Sequence, residues 1–243
     1  TQVVEEFLSA IESKTIKEIY WCGGEPLMWD IHWQAMQRII ELGFAKDVCV
    51  RYNTNLSRTS FKGIKLFDLL PQFQDWQVCA SLDGTAEVGE YIRDGLNYAE
   101  WMNNFKEGLA VAKTAREMRL DYTLTLPGLL ELKNMFDLSQ ELDAEILTKV
   151  MFTFSDDEIL SPLSLPRELL HTIIDEALAY MEPRATRKQR ALTDVLTNLK
   201  TRDTFTATPK GKQRQERIDA IRKQDITNIL SRDTRILEWW NGI

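Results

Sequence analysis

From the first residue to about residue 165, short apolar runs with alternating polar positions take turns with stretches whose apolar residues stand three and four apart. Val3, Val4, Phe7, Leu8 and Ile11 share one helical face across Thr1 to Ser13, and Lys14 leads into a strand from Ile16 to Cys22. Asp30 can cap a helix that carries Trp33, Met36, Ile39 and Ile40 and that Gly43 ends. A second strand covers Asp47 to Tyr52, a helix Phe61 to Leu70, and a third strand Trp76 to Leu82. A long helix from Tyr98 to about Met118 follows, then a strand from Asp121 to Leu126, a helix from Leu130 to Leu142 and a last strand from Ile146 to Phe154.

Strands alternating with helices at this rhythm predict a parallel sheet, because each parallel connection needs a crossover. Ligands in such folds lie beyond the C-terminal ends of the strands. Those ends carry Gly-Gly-Glu-Pro (Gly23, Gly24, Glu25, Pro26), then Asn53, Thr54 and Asn55, then Ser81-Leu82-Asp83-Gly84. From Leu165 onward the strand pattern stops. A helix from Pro166 to Met181 has Leu169, Leu170, Ile173, Ile174, Ala177 and Leu178 as its stripe, and Pro183 breaks it. Two or three more helices are expected, with a loop over Thr201 to Gly211, and the chain closes on Trp239-Trp240. The domain reading is a core over 1–165 and a helical C-terminal extension over 166–243. A chain that opens on a helix is also expected to lack a strand before it.

Composition adds a charge asymmetry. The 243 residues carry a net charge of −7, which excludes a generic polyanion binder. Yet residues 184–223 hold 12 Lys and Arg against 4 Asp and Glu, a local +8, leaving 18 against 33 elsewhere. Such a segment is either a solvated helical face or a site for an acidic partner, RNA or a carboxylate-bearing peptide. No apolar run reaches the roughly 20 residues of a membrane helix, so a cytoplasmic protein with no membrane partner is expected. Cys22, Cys49 and Cys79 sit in separate strand-like runs and read as buried free thiols; none is spaced as a metal ligand. His32 and His171 lie in helical patterns, which speaks against a histidine-based catalytic pair, and no catalytic residue is named.

The turn Cys22-Gly23-Gly24-Glu25-Pro26 is the densest chemistry in the chain. Paired glycines can bring bare backbone close to a ligand, and Pro26 fixes the exit direction. A carboxylate beside exposed carbonyls suits an ammonium group. A plain strand-to-helix turn with Glu25 solvated accounts equally well for these residues alone.

Taken in order, Tyr20-Trp21-Cys22-Gly23-Gly24-Glu25-Pro26-Leu27, Arg51-Tyr52-Asn53-Thr54-Asn55-Leu56, and Ser81-Leu82-Asp83-Gly84 followed by Glu90-Tyr91-Ile92-Arg93-Asp94-Gly95 resemble the radical S-adenosylmethionine (SAM) enzymes, within them the twitch-domain proteins. A weaker echo is Leu160-Ser161-Pro162-Leu163-Ser164-Leu165-Pro166. The resemblance spans roughly residues 15–166. It implies a partial, six-stranded parallel (β/α) barrel of radical SAM type, its first strand missing here, that cradles SAM against a [4Fe–4S] cluster. It further implies that Gly23, Gly24, Glu25 and Pro26 hold the methionine ammonium, that Asn53, Thr54 and Asn55 line the same mouth, and that Ser81 and Asp83 contact the ribose. Arg93 would hold the SAM carboxylate. The activity implied is reductive cleavage of SAM to a 5′-deoxyadenosyl radical that abstracts hydrogen from a substrate, with flavodoxin or ferredoxin as electron donor.

The chain departs from the family at one point. The Cys-x3-Cys-x2-Cys loop that ligates the cluster is absent from these residues, and the three cysteines do not replace it by spacing. An upstream segment carrying that loop is the expectation. A degenerate SAM-binding module without catalysis is one alternative, and a protein binding RNA through residues 184–223 is another.

Overall fold

Strands of four to seven residues line up parallel when each is returned to the same edge by a helix, and this chain does so repeatedly. The computed structural model of the chain describes residues 2–151, 153, 155 and 157–243. In order, the elements are α1 (Gln2–Glu12), β1 (Glu18–Trp21), α2 (Asp30–Glu41), β2 (Cys49–Thr54), β3 (Ser60–Phe61), β4 (Ile64–Lys65), α3 (Leu66–Leu69), β5 (Asp75–Ser81), α4 (Ala86–Ile92), α5 (Tyr98–Val111), β6 (Met118–Leu124), α6 (Leu132–Glu141) and β7 (Glu145–Val150). Helices α7 (Arg167–Met181), α8 (Arg190–Leu199), α9 (Pro209–Arg222), α10 (Ile226–Leu230) and α11 (Thr234–Asn241) follow. Five strands form one parallel sheet in the order β1-β2-β5-β6-β7, while β3 and β4 make a separate antiparallel hairpin. The protein is therefore α/β, as the rhythm of the sequence predicts, and its strand order is compatible with a partial barrel.

The chain divides into two compact units, one holding the residues up to Ser81 with Ala99–Arg119, the other Leu82–Tyr98 with Leu120–Ile243. In the first unit the register sets Tyr20 beside Arg51 and Arg51 beside Gln77, and it sets Asn53 beside Cys79. Because side chains alternate along a strand, Ile19, Trp21, Val50, Tyr52, Thr54, Trp76, Val78 and Ala80 fall on one face, and all are buried. Glu18, Tyr20, Cys49, Arg51, Asn53, Gln77 and Ser81 alternate with them and are exposed or half-buried. Parallel sheets are normally apolar on both faces, whereas these strands carry polar residues on one of them. Trp33, Met36 and Ile39 of α2 are buried, and the α1–α2 pair is fastened by Arg38, whose Nε and Nη2 reach the Glu12 carboxylate at 2.7 and 2.8 Å. Trp101 and Phe105 of α5 stack at 5.0 Å. Gly108 lies where a Cβ would come within 2.6 Å of the Met118 sulfur and 2.8 Å of the Phe67 ring, so a side chain there would have to displace both.

In the second unit, Leu170, Ile174, Ala177 and Met181 of α7 and Leu192, Leu196 and Leu199 of α8 are buried, as is Ile146 of β7. Each later helix starts on a side-chain cap: Thr208 accepts from Gly211 N, Asp225 from Thr227 N, and Asp233 from Arg235 N. A buried polar cluster links α4 to α9. The Tyr91 hydroxyl donates to Asp219 Oδ1 at 3.0 Å, Gln215 Nε2 donates to both, and Ile226 N donates to Asp219 Oδ2.

Several expectations need correction. The stretch from Phe61 to Leu70 is not one helix: Lys62 and Gly63, with φ of 49° and 84°, make a two-residue hairpin turn, and only Leu66–Leu69 is α-helical. The helix starting at Tyr98 stops at Val111 rather than near Met118. Glu117 ends that region by accepting from the amides of Lys113 and Thr114, and the next strand begins at Met118, three residues before its expected start. Asp30 is the first residue of α2 and not its cap; Trp29 holds the cap position without a side-chain bond. The second strand runs on to Thr54, taking in Asn53 and Thr54. Four helices, not two or three, follow Met181, and the helix of Pro209 cuts short the loop expected to reach Gly211. Cys22 is exposed and Cys49 half-exposed, so only Cys79 is the buried thiol expected of all three. The last strand ends at Val150; Phe152 and Phe154, expected within it, lie outside the described residues.

Candidate cofactor-binding site

The first unit builds its densest polar site at the C-terminal ends of β1 and β2. After Trp21 the chain turns through Cys22, Gly23 and Gly24 into Glu25, then into a 3-10 turn over Pro26–Met28. Gly23 has φ of +87°, a left-handed value that favours glycine. Gly24 does not, and a Cβ on it would meet nothing among the described residues within 4 Å. Neither backbone strain nor packing therefore requires Gly24, which leaves bare backbone beside open space.

The Glu25 carboxylate ties this turn to the next strand. Oε1 accepts from Thr54 Oγ1 at 2.6 Å and from Leu27 N at 3.2 Å, and Oε2 accepts from Asn55 N at 2.7 Å. Thr54, 2% exposed, also accepts from Leu56 N at 2.9 Å, so its hydroxyl is fixed on both sides. A carboxylate has about four lone-pair sites, so these three bonds orient it and leave room for one more donor. The solvated Glu25 of the plain-turn reading is thus replaced by a half-buried, pre-oriented one. Pro26 and Leu27, which follow it, are buried.

The neighbouring residues divide between site and scaffold. Asn53 lies on the open face, its Oδ1 accepting from the Tyr20 hydroxyl at 2.9 Å. Asn55 contributes its backbone; its side chain accepts from Ser57 N at 3.0 Å and Ser57 Oγ at 2.7 Å, closing a local turn. Ser81 ends β5 and is half-buried. Beside the turn, a cavity of about 650 Å³ is lined by Val3 and Phe7 of α1, by Tyr20, Trp21 and Trp29, and by Glu25.

The second unit holds Asp83 and Arg93, and it pairs them. Arg93 Nε stands 2.8 Å from Asp83 Oδ2, while Asp83 Oδ1 accepts from Thr123 N at 2.8 Å. Burial pushes the Asp83 carboxyl above its ordinary range, against the pull of Arg93 and the Thr123 amide. Gly84 is a packing glycine, since a Cβ there would sit 3.1 Å from Gly89 N and 3.2 Å from Glu131 Cγ.

Sequence reasoning missed other polar groups. Asp121, in the middle of β6 and 5% exposed, takes Lys149 Nζ on both oxygens at 2.7 and 2.6 Å. Glu131, fully buried, accepts from Thr85 N at 2.9 Å and Thr85 Oγ1 at 2.5 Å, and it pairs with Arg232 at 3.1 Å. An acid inside the apolar run Leu120-Asp121-Tyr122 was the available signal for the first; nothing local announced the second. The cationic segment is partly neutralised within its own unit, where Arg184 pairs with Asp137, Lys188 with Asp143, Lys200 with Asp175, Lys210 with Asp157 and Arg222 with Asp94.

The cysteines form no cradle. Cys79 stands beside Asn53 in the register and Cys49 beside Glu18 and Asp75, four residues back along β2 from Asn53. Among the described residues no group of three or more His, Cys, Asp or Glu is placed to hold a metal ion. No helix among them is long and apolar enough to cross a membrane. No protein-family model matches the chain, and neither does any curated protein.

Proposed function

We propose that the chain binds the methionine end of SAM at the turn after β1, as a protein of the radical SAM type. The observation that carries this reading is the Glu25 carboxylate, fixed by Thr54, Asn55 N and Leu27 N with one acceptor position left. An ammonium group supplies the donor such a position takes. The open backbone at Gly24 suits the same end of the ligand, and Asn53, held by Tyr20, presents its amide on the adjoining open face. Asp83 and Arg93 lend less support, because each already answers the charge of the other.

In radical SAM proteins a reduced [4Fe–4S] cluster supplies the electron that cleaves SAM to a 5′-deoxyadenosyl radical. Cys22, Cys49 and Cys79 do not fit such a cluster, being placed in the turn after β1, at the start of β2 and within β5, and differing in exposure. The chain's own contribution is binding and orientation: Glu25 for the amine, and Thr54 and Asn55 for the pose of Glu25. The same cysteine positions favour a second reading, a SAM-binding module without redox chemistry. An acidic or RNA partner at residues 184–223 draws little support, given the ion pairs that segment makes with nearby carboxylates.

Iron and sulfide analysis of the full-length protein purified without oxygen, with a 5′-deoxyadenosine assay after dithionite reduction, tests the proposal. About four irons per chain with formation of 5′-deoxyadenosine would support the radical SAM reading, with cluster ligands other than Cys22, Cys49 and Cys79. An iron-free protein that binds SAM supports the second reading, and one that does neither overturns both.

A further inference from the structure

His32 and Tyr52 form a buried pair in the first unit that no step of the proposed function uses. His32 is fully buried on the first turn of α2, with Nε2 2.9 Å from the Tyr52 hydroxyl and Nδ1 without a partner among the described residues. Trp21, Trp33 and Tyr52 meet the imidazole edge-on, at 4.8, 4.8 and 5.5 Å between ring centres. Trp33 Nε1 in turn donates to the Leu27 carbonyl at 3.0 Å. The residues around this imidazole therefore bracket the site: Trp21 enters the glycine turn, His32 and Trp33 follow it, and Tyr52 stands two residues before Thr54.

The hydrogen count chooses a tautomer. If Tyr52 donates to Nε2, one buried donor, Nδ1–H, is left over. If Nε2–H donates instead, both the Tyr52 proton and the Nδ1 lone pair are left over, and buried polar groups without partners cost about 1–3 kcal/mol each. The first arrangement leaves fewer. We infer that His32 is a positioning residue: as the Nδ1–H tautomer it accepts the Tyr52 hydroxyl and braces the end of β2 against the start of α2, holding Glu25 in register with Thr54 and Asn55. The affinity readout below rests on the SAM reading; the exchange and tautomer readouts do not.

The test is amide hydrogen exchange on the full chain, wild type against Tyr52→Phe, with the imidazole nitrogen spectrum and SAM affinity of each. The Leu27 and Asn55 amides, which bond Glu25, should exchange about tenfold faster in Tyr52→Phe, as the loss of one hydrogen bond allows, with the Ile174 amide of α7 unchanged. SAM affinity should fall by a similar factor, and wild-type His32 should show the neutral Nδ1–H pattern. Equal acceleration at all amides, no change at Leu27 and Asn55, or an Nε2–H pattern in the wild type would overturn the inference. If Tyr52→Phe does not fold, the wild-type nitrogen pattern still decides. If the wild type does not bind SAM while the exchange and tautomer results hold, the SAM reading fails and the brace stands.

Discussion

Thr54 gives its hydroxyl proton to Glu25 across 2.6 Å, and this bond joins the turn after β1 to the last residue of β2. A hydrogen bond to a charged group contributes about 1.5–3 kcal/mol. Thr54→Val keeps the shape and removes both the donor to Glu25 and the acceptor for Leu56 N. Urea unfolding should show a loss of about 2 kcal/mol, and a loss below a few tenths would mean the bond does not hold the turn.

Gly24 offers the opposite test. Its backbone is unstrained and a Cβ would touch nothing among the described residues within 4 Å, so Gly24→Ala should leave stability within about 0.5 kcal/mol. If the bare backbone serves a ligand, SAM affinity should nonetheless fall about tenfold or more. Unchanged affinity with unchanged stability would remove Gly24 from the site.

Burial also makes a pH prediction. The His32 imidazole is held down to about 3, against an ordinary value near 6.5, by desolvation. The unfolded chain therefore takes up a proton as pH falls below 6.5 while the folded chain does not. Stability should drop by about 1.4 kcal/mol per pH unit in that window, or about 2 kcal/mol between pH 7 and pH 5. Chemical unfolding at both pH values should show a flatter profile for His32→Asn; equal slopes would place the titration elsewhere.

In the second unit, Arg232 meets the fully buried Glu131 at 3.1 Å and Glu87 at 2.9 Å. Removing one partner of a buried pair costs about 3–5 kcal/mol, and less here because Arg232 is partly exposed and Thr85 and Asn134 still bond Glu131. Arg232→Met should destabilise by about 2 kcal/mol in urea. A neutral result would show that Thr85 and Asn134 suffice.

The alternation of strands with helices and their parallel arrangement were legible because Asp47 to Tyr52 and Trp76 to Leu82 carry the period-two pattern directly and helical stretches separate the strands. The hairpin at Lys62-Gly63 was not, since two-residue strands carry no period and Phe61, Leu66 and Leu69 mimic a helical face. The end of α5 was hidden because Ala112 to Arg116 has helical propensity that the Glu117 side chain overrides by binding two amides. At the site, the polar residues after β1 and β2 could be picked out singly. Their joining could not: that Glu25 reaches Thr54 and Asn55 depends on how two strands distant in sequence pair. Asn55 shows the limit in the other direction, its side chain being engaged in the local turn that its residue type also allows.

The most direct measurement of the central claim is isothermal titration of SAM into the wild-type chain and into Glu25→Gln. The account predicts saturable binding by the wild type and at least tenfold weaker binding by the variant, whose neutral amide places donors where a carboxylate should meet an ammonium. Equal affinity in the two proteins, or no binding in the wild type, would contradict it.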